Sequence, residues 1–314
     1  MNINKQASNN LIMIRPRYFN YNKETAENNH FQKKPQSLTV DEIKRKAIEE
    51  FEKLVHKLWE KQIEVNVYDD RENIITTDSI FPNNWISFHD DGKIILYPMF
   101  SKNRRKERRQ DIIKNLKKNR FLIDEIIDLS KYEKKSLYLE GTGSMVLDRK
   151  NKICYAALSE RTNKEVLIDF CKNLNYKPIT FRAYHTVKGK RMEIYHTNVL
   201  MNVSDKYSIV CLDSIDSISE RKMVISSLDS TEKKIININE NQMHNFAGNM
   251  LQVENKIGER FLVMSDTAFN SLEEIQKDKI LSFNDIIHSN LKTIETLGGG
   301  SARCMIAENF LEKK

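Results

Sequence analysis

No stretch of this chain approaches the roughly 18 apolar residues of a membrane span. Its first residues, MNINKQASNN, lack the basic-then-apolar layout of a secretory signal. The sequence therefore reads as neither membrane-embedded nor secreted. There are four cysteines, Cys154, Cys171, Cys211 and Cys304, none of them in a C-x-x-C pair. Such irregular spacing argues against a zinc site, and the pattern fits a reducing, cytoplasmic compartment. Nucleic-acid motifs, low-complexity segments and composition breaks that would mark a linker are also missing, so residues 1–314 are expected to form one domain.

What is present is a globular composition, 39% apolar and 30% charged over 314 residues. The net charge of +7 gathers at Lys102–Arg109 (KNRRKERR) and Lys114–Arg120. A run of this kind fits either nucleic acid or a solvated helix face. With no nucleic-acid motif behind it, the solvated face is the better reading.

Periodicity predicts a helix over Asp41–Lys61, because Ile43, Ala47, Phe51, Leu54 and Leu58 recur at steps of three and four. Thr39 or Asp41 can cap it. Weaker helices are expected at Lys106–Arg120, Lys164–Leu174, Ile218–Leu228 and Leu272–Lys279. Strands are expected at Ile94–Tyr97, Ile153–Leu158, Ser208–Leu212 and Phe261–Met264. Cys154 and Cys211, inside such runs, read as small core hydrophobes.

The strands repeat. NNWISFHDDGKIILYPM from Asn83, GSMVLDRKNKICYAAL from Gly143, TNVLMNVSDKYSIVCL from Thr197 and GNMLQVENKIGERFLVM from Gly248 share one form, and GSARCMIAE from Gly300 is a truncated fifth copy. Asn84, Ser144, Asn198, Asn249 and Arg303 mark equivalent places, about 51 to 60 residues apart. A period near 50 with helices between the hairpins suggests radial, mixed α/β modules. The strand Leu11–Arg15 would complete the last one. Residues 20–38 read as a polar loop and a candidate lid.

Chemistry-bearing residues sit at the start of these repeats. Cys304 follows the Gly298–Gly300 cluster, which frees the backbone to pack closely, and cysteine is the most nucleophilic side chain at neutral pH. His196 precedes the third hairpin, Glu140 the second and Asp78 the first. Equivalent positions of radial modules converge near an axis, so residues far apart in sequence would share one site. The expected roles are nucleophile for Cys304, acid/base for His196, carboxylate for Glu140 and substrate ligand for Asp78.

The stretches IRPRYFNYNKET, DSIFPNNW, LEGTGSMVLDR, ALSERTN, YHTNVLM and GGGSARCM resemble the amidinotransferase-like guanidine-modifying (pentein) superfamily, and within it the citrulline utilization hydrolase branch, related to arginine deiminase and dimethylargininase. The resemblance runs from about Ile12 to Ala307. It implies the pentein fold, a five-module ββαβ α/β propeller with pseudo-fivefold symmetry. It places the family's cysteine, histidine and acid on Cys304, His196 and Glu140, and its substrate-binding aspartate on Asp78. Arginine deiminases hold the substrate carboxylate with arginines of RRxE-type and SERT motifs; Arg105, in RRKE, and Arg161, in SERT, are similar. No metal or organic cofactor is implied, and the partner is a small amino-acid substrate. Pentein hydrolases are often dimers or larger, so a homo-oligomer is open.

One departure concerns the substrate. Arginine deiminases carry His-x-Asp, whereas this chain has His196-Thr197-Asn198. A carboxylate matches a donor-only guanidinium; a carboxamide matches a ureido group with its own carbonyl. The resemblance thus implies citrulline hydrolysis to ornithine through a covalent Cys304 intermediate. Arginine deiminase and amidinotransferase are the enzymatic alternatives, and an RNA- or ribosome-binding pentein protein is the non-catalytic one.

Overall fold

One connection is used five times among the residues that the computed structural model describes, 5–35 and 37–314. The first sheet is Ile86–Phe88, Lys93–Leu96 and Glu125–Asp128; the second is Val146–Asp148, Ile153–Ala157 and Lys177–Phe181. The third is Met201–Val203, Tyr207–Val210 and Lys234–Asn237, and the fourth is Leu251–Glu254, Arg260–Ser265 and Asp285–Ser289. In each, the first strand pairs antiparallel with the second, which pairs parallel with the third. Parallel pairing requires a crossover. Helices supply it: Gln110–Lys118, Lys164–Leu174, Ile218–Asp229, and the pair Asp266–Ser271 and Glu274–Leu281.

The fifth sheet joins the two ends of the chain. Ala307–Glu308 pairs antiparallel with Asn10–Arg15, with Ile12 opposite Ala307, and Asn10–Arg15 pairs parallel with Glu64–Asp69. The N-terminal strand therefore completes the truncated last copy. A separate hairpin, Tyr184–Val187 with Lys190–Glu193, stands outside these sheets.

The middle strands are buried on both faces, as the unbroken apolar run Ile153–Ala157 shows. The crossover helix of the fifth sheet, Val40–Glu60, starts in a capping box. Glu42 N–H donates to Thr39 Oγ1 (3.3 Å) and Thr39 N–H to Glu42 Oε2 (2.8 Å). Its buried face is Ile43, Ala47, Phe51, Leu54, Val55 and Leu58. Burial of each large member stabilises by roughly 1.5–3 kcal/mol. Cys154 and Cys211 are core residues, as read from sequence.

Two local expectations fail for physical reasons. The helix expected from Lys106 begins only at Gln110; Lys102–Glu107 is a tighter 3-10 turn that points Arg104 and Glu107 inward. The helix expected at Leu272–Lys279 is Glu274–Leu281, started by a Glu273/Gln276 capping box. The reading of a solvated helix face holds for Lys114, Lys117 and Lys118, exposed on the helix Gln110–Lys118, but not for the arginines of Lys102–Arg109. Arg104 pairs with Glu107, Arg108 with Glu133, and Arg109 with Asp111. Among the described residues, no helix is long and apolar enough to cross a membrane.

Candidate active site

Short helical turns precede the first strands of three sheets: Pro82–Asn84, Gly141–Ser144 and Thr197–Val199. They interlock through glycine. Gly141, at φ +46°, lies so close to the first turn that a Cβ would stand 2.2 Å from Asn83 O. A Cβ on Gly143 would stand 2.4 Å from Asn84 Nδ2 and 2.8 Å from His196 Nδ1. Only glycine permits that approach. It brings Asn83–Asn84, Glu140 and His196, far apart in sequence, to one place. Gly143→Ala should therefore push His196 and Asn84 aside. Displacements near 1 Å cost about 10²-fold in rate. The check is kcat against thermal midpoint, and full activity would contradict the account.

His196 is buried, and its Nε2 lies 2.8 Å from Glu140 Oε2. Because an ionised carboxylate only accepts, Nε2 carries the hydrogen and Nδ1 keeps a lone pair. Burial pushes His196 down to about 4 despite the neighbouring carboxylate. Burial also raises Glu140, but Arg161, His196 and Arg104 outweigh it and hold the carboxyl well below the usual carboxylate range. Glu140 Oε1 accepts from the Phe100 N–H at 2.9 Å. At neutral pH the pair is thus a carboxylate and a neutral imidazole.

Cys304 is 4% exposed. Two carboxamides donate to its Sγ: Asn249 Nδ2 at 3.2 Å and Asn198 Nδ2 at 3.4 Å. Asn249 also donates to Asn198 O (3.0 Å), which fixes both side chains.

Asp78 Oδ2 accepts from Asn22 Nδ2 (2.7 Å) and Thr25 Oγ1 (3.4 Å) and lies 3.7 Å from Arg104 Nε. Its Oδ1 is buried with no protein partner, and burial raises the carboxyl above its ordinary range. Arg104 is buried too. It donates to both oxygens of Glu107, to Asn84 Oδ1 at 2.8 Å, and to the carbonyls of Asp78 and Phe81 at 3.4 Å. That bond fixes the Asn84 amide so that its Nδ2 remains unpartnered.

Arg161 is sandwiched between Tyr195 (4.9 Å) and Phe100 (5.6 Å). It donates to Thr25 O at 2.9 Å and lies 3.4 Å from Glu140 Oε2. Arg105 is a correction. Its side chain turns away to Met99 O (3.0 Å) and Glu133 (3.4 Å), and Arg104 takes the place beside Asp78. The period of three in the 3-10 turn accounts for this: Arg104 and Glu107 share the inward face, and Arg105 is rotated about 120° away from it.

Asp78, Asn84, Arg104, Arg161, His196 and Cys304 line one narrow cavity of about 20 Å³. Asn198, expected from sequence to bind substrate, is not in this lining; its Nδ2 donates to Cys304 Sγ beside it at 3.4 Å. The segment read as a candidate lid closes over the top. Thr25 and Asn29 line the cavity, Asn22 and Thr25 bind Asp78, and Asn29 and Gln32 donate to carbonyls of Leu297–Gly299. Sequence reasoning missed Arg104, Asn249 and the free amide of Asn84. The signal for Asn249 was available, since it holds the same repeat position as Asn198.

The sequence model of one family, described as "N,N dimethylarginine dimethylhydrolase, eukaryotic", matches residues 15–311. No curated protein sequence matches the chain. Apo ArgZ, an arginine dihydrolase from the ornithine–ammonia cycle in cyanobacteria, is a structural neighbour at TM-score 0.70 and 16% identity. That match covers 95% of this chain and 40% of that one, so this chain spans well under half of its length. The N-terminal domain of ArgZ bound to substrate gives 0.69 at 18% identity, covering 96% of this chain and 99% of that one. A dimethylarginine dimethylaminohydrolase adduct with S-methyl-L-thiocitrulline gives 0.62 at 13%, covering 96% and 99%. At these identities the likeness shows the fold, a mixed α/β arrangement of small sheets.

Proposed function

The chain belongs to the N,N dimethylarginine dimethylhydrolase family, and we propose that it is a cysteine-dependent hydrolase that acts on citrulline and releases ornithine. More broadly, its substrate is the guanidino or ureido group of an arginine-like amino acid. Two unpartnered atoms on cavity-lining residues support the choice of citrulline: Asp78 Oδ1, an acceptor, and Asn84 Nδ2, a donor. A guanidinium is all donors and leaves Asn84 unmatched. A ureido group presents N–H to Asp78 and C=O to Asn84. Buried polar atoms without partners in a cavity are what a ligand satisfies.

In the proposed mechanism, His196 is neutral and takes the Cys304 thiol proton through Nδ1. The thiolate attacks the ureido carbon. The bond from that carbon to the ornithine Nδ breaks, and imidazolium His196 gives its proton to the departing amine. An S-carbamoyl cysteine remains. Water, deprotonated by His196, attacks it and frees Cys304 with carbamate, which decomposes to carbon dioxide and ammonia. Glu140 orients the imidazole and stabilises its charged form. Arg161, under the strap, is the candidate partner for the substrate carboxylate. The Asn198 and Asn249 amides stabilise sulfur charge.

An arginine deiminase would need a second carboxylate with a free oxygen, and the atoms of Glu140 are already engaged by His196, Arg161 and Phe100. An RNA-binding role has less support from Lys102–Arg109, where Arg104, Arg108 and Arg109 are tied to acidic side chains. We further infer one catalytic domain over 1–314, with its five sheets around a pseudo-fivefold axis. Contacts between the first strands of the second and third, third and fourth, and fifth and first sheets support that ring. Four free, buried cysteines fit a reducing cytoplasm.

The test is a parallel assay on L-citrulline and L-arginine that identifies the amino-acid product, with Cys304→Ala as control. Ornithine from citrulline, absent in the variant, is expected. Citrulline from arginine would replace this reading with a deiminase.

A further inference from the structure

Three of the seven histidines meet in a second cavity, outside the Cys304 site. Its volume is about 300 Å³. His185 stands on the Tyr184–Val187 strand, His244 ends the helix Glu240–His244, and His30 belongs to the strap. His185 Nδ1 and His244 Nε2 are 3.0 Å apart, so the two rings share one hydrogen. Phe31 stacks on His185 at 5.2 Å and meets His244 edge-on at 5.7 Å.

Charge decides what such a cavity takes. Lys33, Lys188 and Lys292 line it from three different segments: the strap, the hairpin turn and the helix Lys292–Gly298. Among the described residues Glu295 is its one carboxylate, and both its oxygens are engaged, by Ser301 Oγ and Thr267 Oγ1 at 2.7 Å each. Glu240, next to it, is paired with Arg191 and accepts from the Thr186 N–H at 3.1 Å. The cavity is therefore imidazole and aromatic inside, with three exposed lysines along its lining. A metal ion fits poorly. No group of three or more His, Cys, Asp or Glu among the described residues could hold one, and three ammonium groups oppose it.

We propose that this cavity binds a phosphate-bearing anion, which ties the strap to the body of the protein. A phosphate group accepts several charge-assisted hydrogen bonds at once, and lysines from three segments suit its tetrahedral oxygens. The consequence reaches the Cys304 site. Lys33 N–H donates to Thr296 O at 2.7 Å, and Phe31 meets Tyr195, a wall of the Cys304 cavity, edge-on at 6.2 Å. An anion across Lys33, Lys188 and Lys292 thus holds closed the strap that covers the substrate.

The experiment is calorimetric titration of the full chain with inorganic phosphate, glycerol 3-phosphate, citrate and zinc chloride in parallel, at fixed ionic strength. Hydrogen exchange over residues 22–33 is followed with and without phosphate. Saturable phosphate binding with a Kd of about 1 mM or tighter is expected, weakened at least about tenfold in Lys188→Ala/Lys292→Ala, with slower exchange in the strap. Tighter binding of glycerol 3-phosphate than of phosphate would point to a phosphomonoester, and the reverse to free phosphate. The proposal falls if phosphate does not saturate, if the double variant binds it as well as the parent, if citrate binds equally, or if zinc alone binds.

Discussion

Replacing Cys304 by serine is expected to leave a folded protein whose turnover falls by roughly 10⁴-fold or more, the scale of nucleophile removal elsewhere. The argument rests on the surroundings of the sulfur. Asn198 and Asn249 donate to it at 3.4 and 3.2 Å, and a hydroxyl accepts those bonds as well, so structure is preserved. Reactivity is not. A neutral imidazole that burial has pushed down to about 4 is a weak base; it can take a proton from a thiol far more readily than from an alcohol. The same variant separates binding from chemistry. It should still bind citrulline and should not form the S-carbamoyl adduct that mass spectrometry of quenched parent enzyme would show. Turnover within tenfold of the parent would remove Cys304 from the mechanism.

Much of this site was legible in the sequence because the fold is repetitive. Asp78, Glu140, His196 and Cys304 were singled out for their places relative to recurring hairpins. They come together because the glycine-lined turns before those hairpins interlock. The helix Val40–Glu60 was legible from its stripe and cap alone. What stayed hidden has a common cause. Whether Arg104 or Arg105 faces inward depends on a 3-10 turn that propensity does not announce, since the run KNRRKERR is equally good on an α-helix. The free amide of Asn84 was hidden for the same reason: its orientation is set by Arg104 through the fold. The strap could be guessed as polar, but its bonds to Asp78, Arg161 and the Leu297–Gly299 carbonyls are long-range and leave no local signal.

Arg104 also carries the largest expected stability effect. It is 3% exposed and holds two buried carboxylates, Glu107 by direct bonds down to 2.8 Å and Asp78 at 3.7 Å. Burial pushes both carboxyls up, and Arg104 is the leading influence drawing them back down. Arg104→Met removes that cation and leaves two acids in a dry interior. Breaking a buried pair from one side costs roughly 3–5 kcal/mol. Arg105→Met, in the same motif, breaks a partly exposed contact with Glu133 and a bond to Met99 O, and should cost no more than about 1–2 kcal/mol. Urea denaturation of the two variants side by side measures the difference, and equal losses would refute the inward placement of Arg104. The double variant Arg104→Met/Glu107→Gln tests the cause. If the uncompensated Glu107 carboxylate is what destabilises, neutralising it recovers part of the loss. Activity is not recovered, because Asn84, which lines the cavity, has lost the bond that fixes its amide. Recovery of stability without recovery of turnover would therefore separate the two roles of this arginine: neutralising the interior and orienting the Asn84 carboxamide.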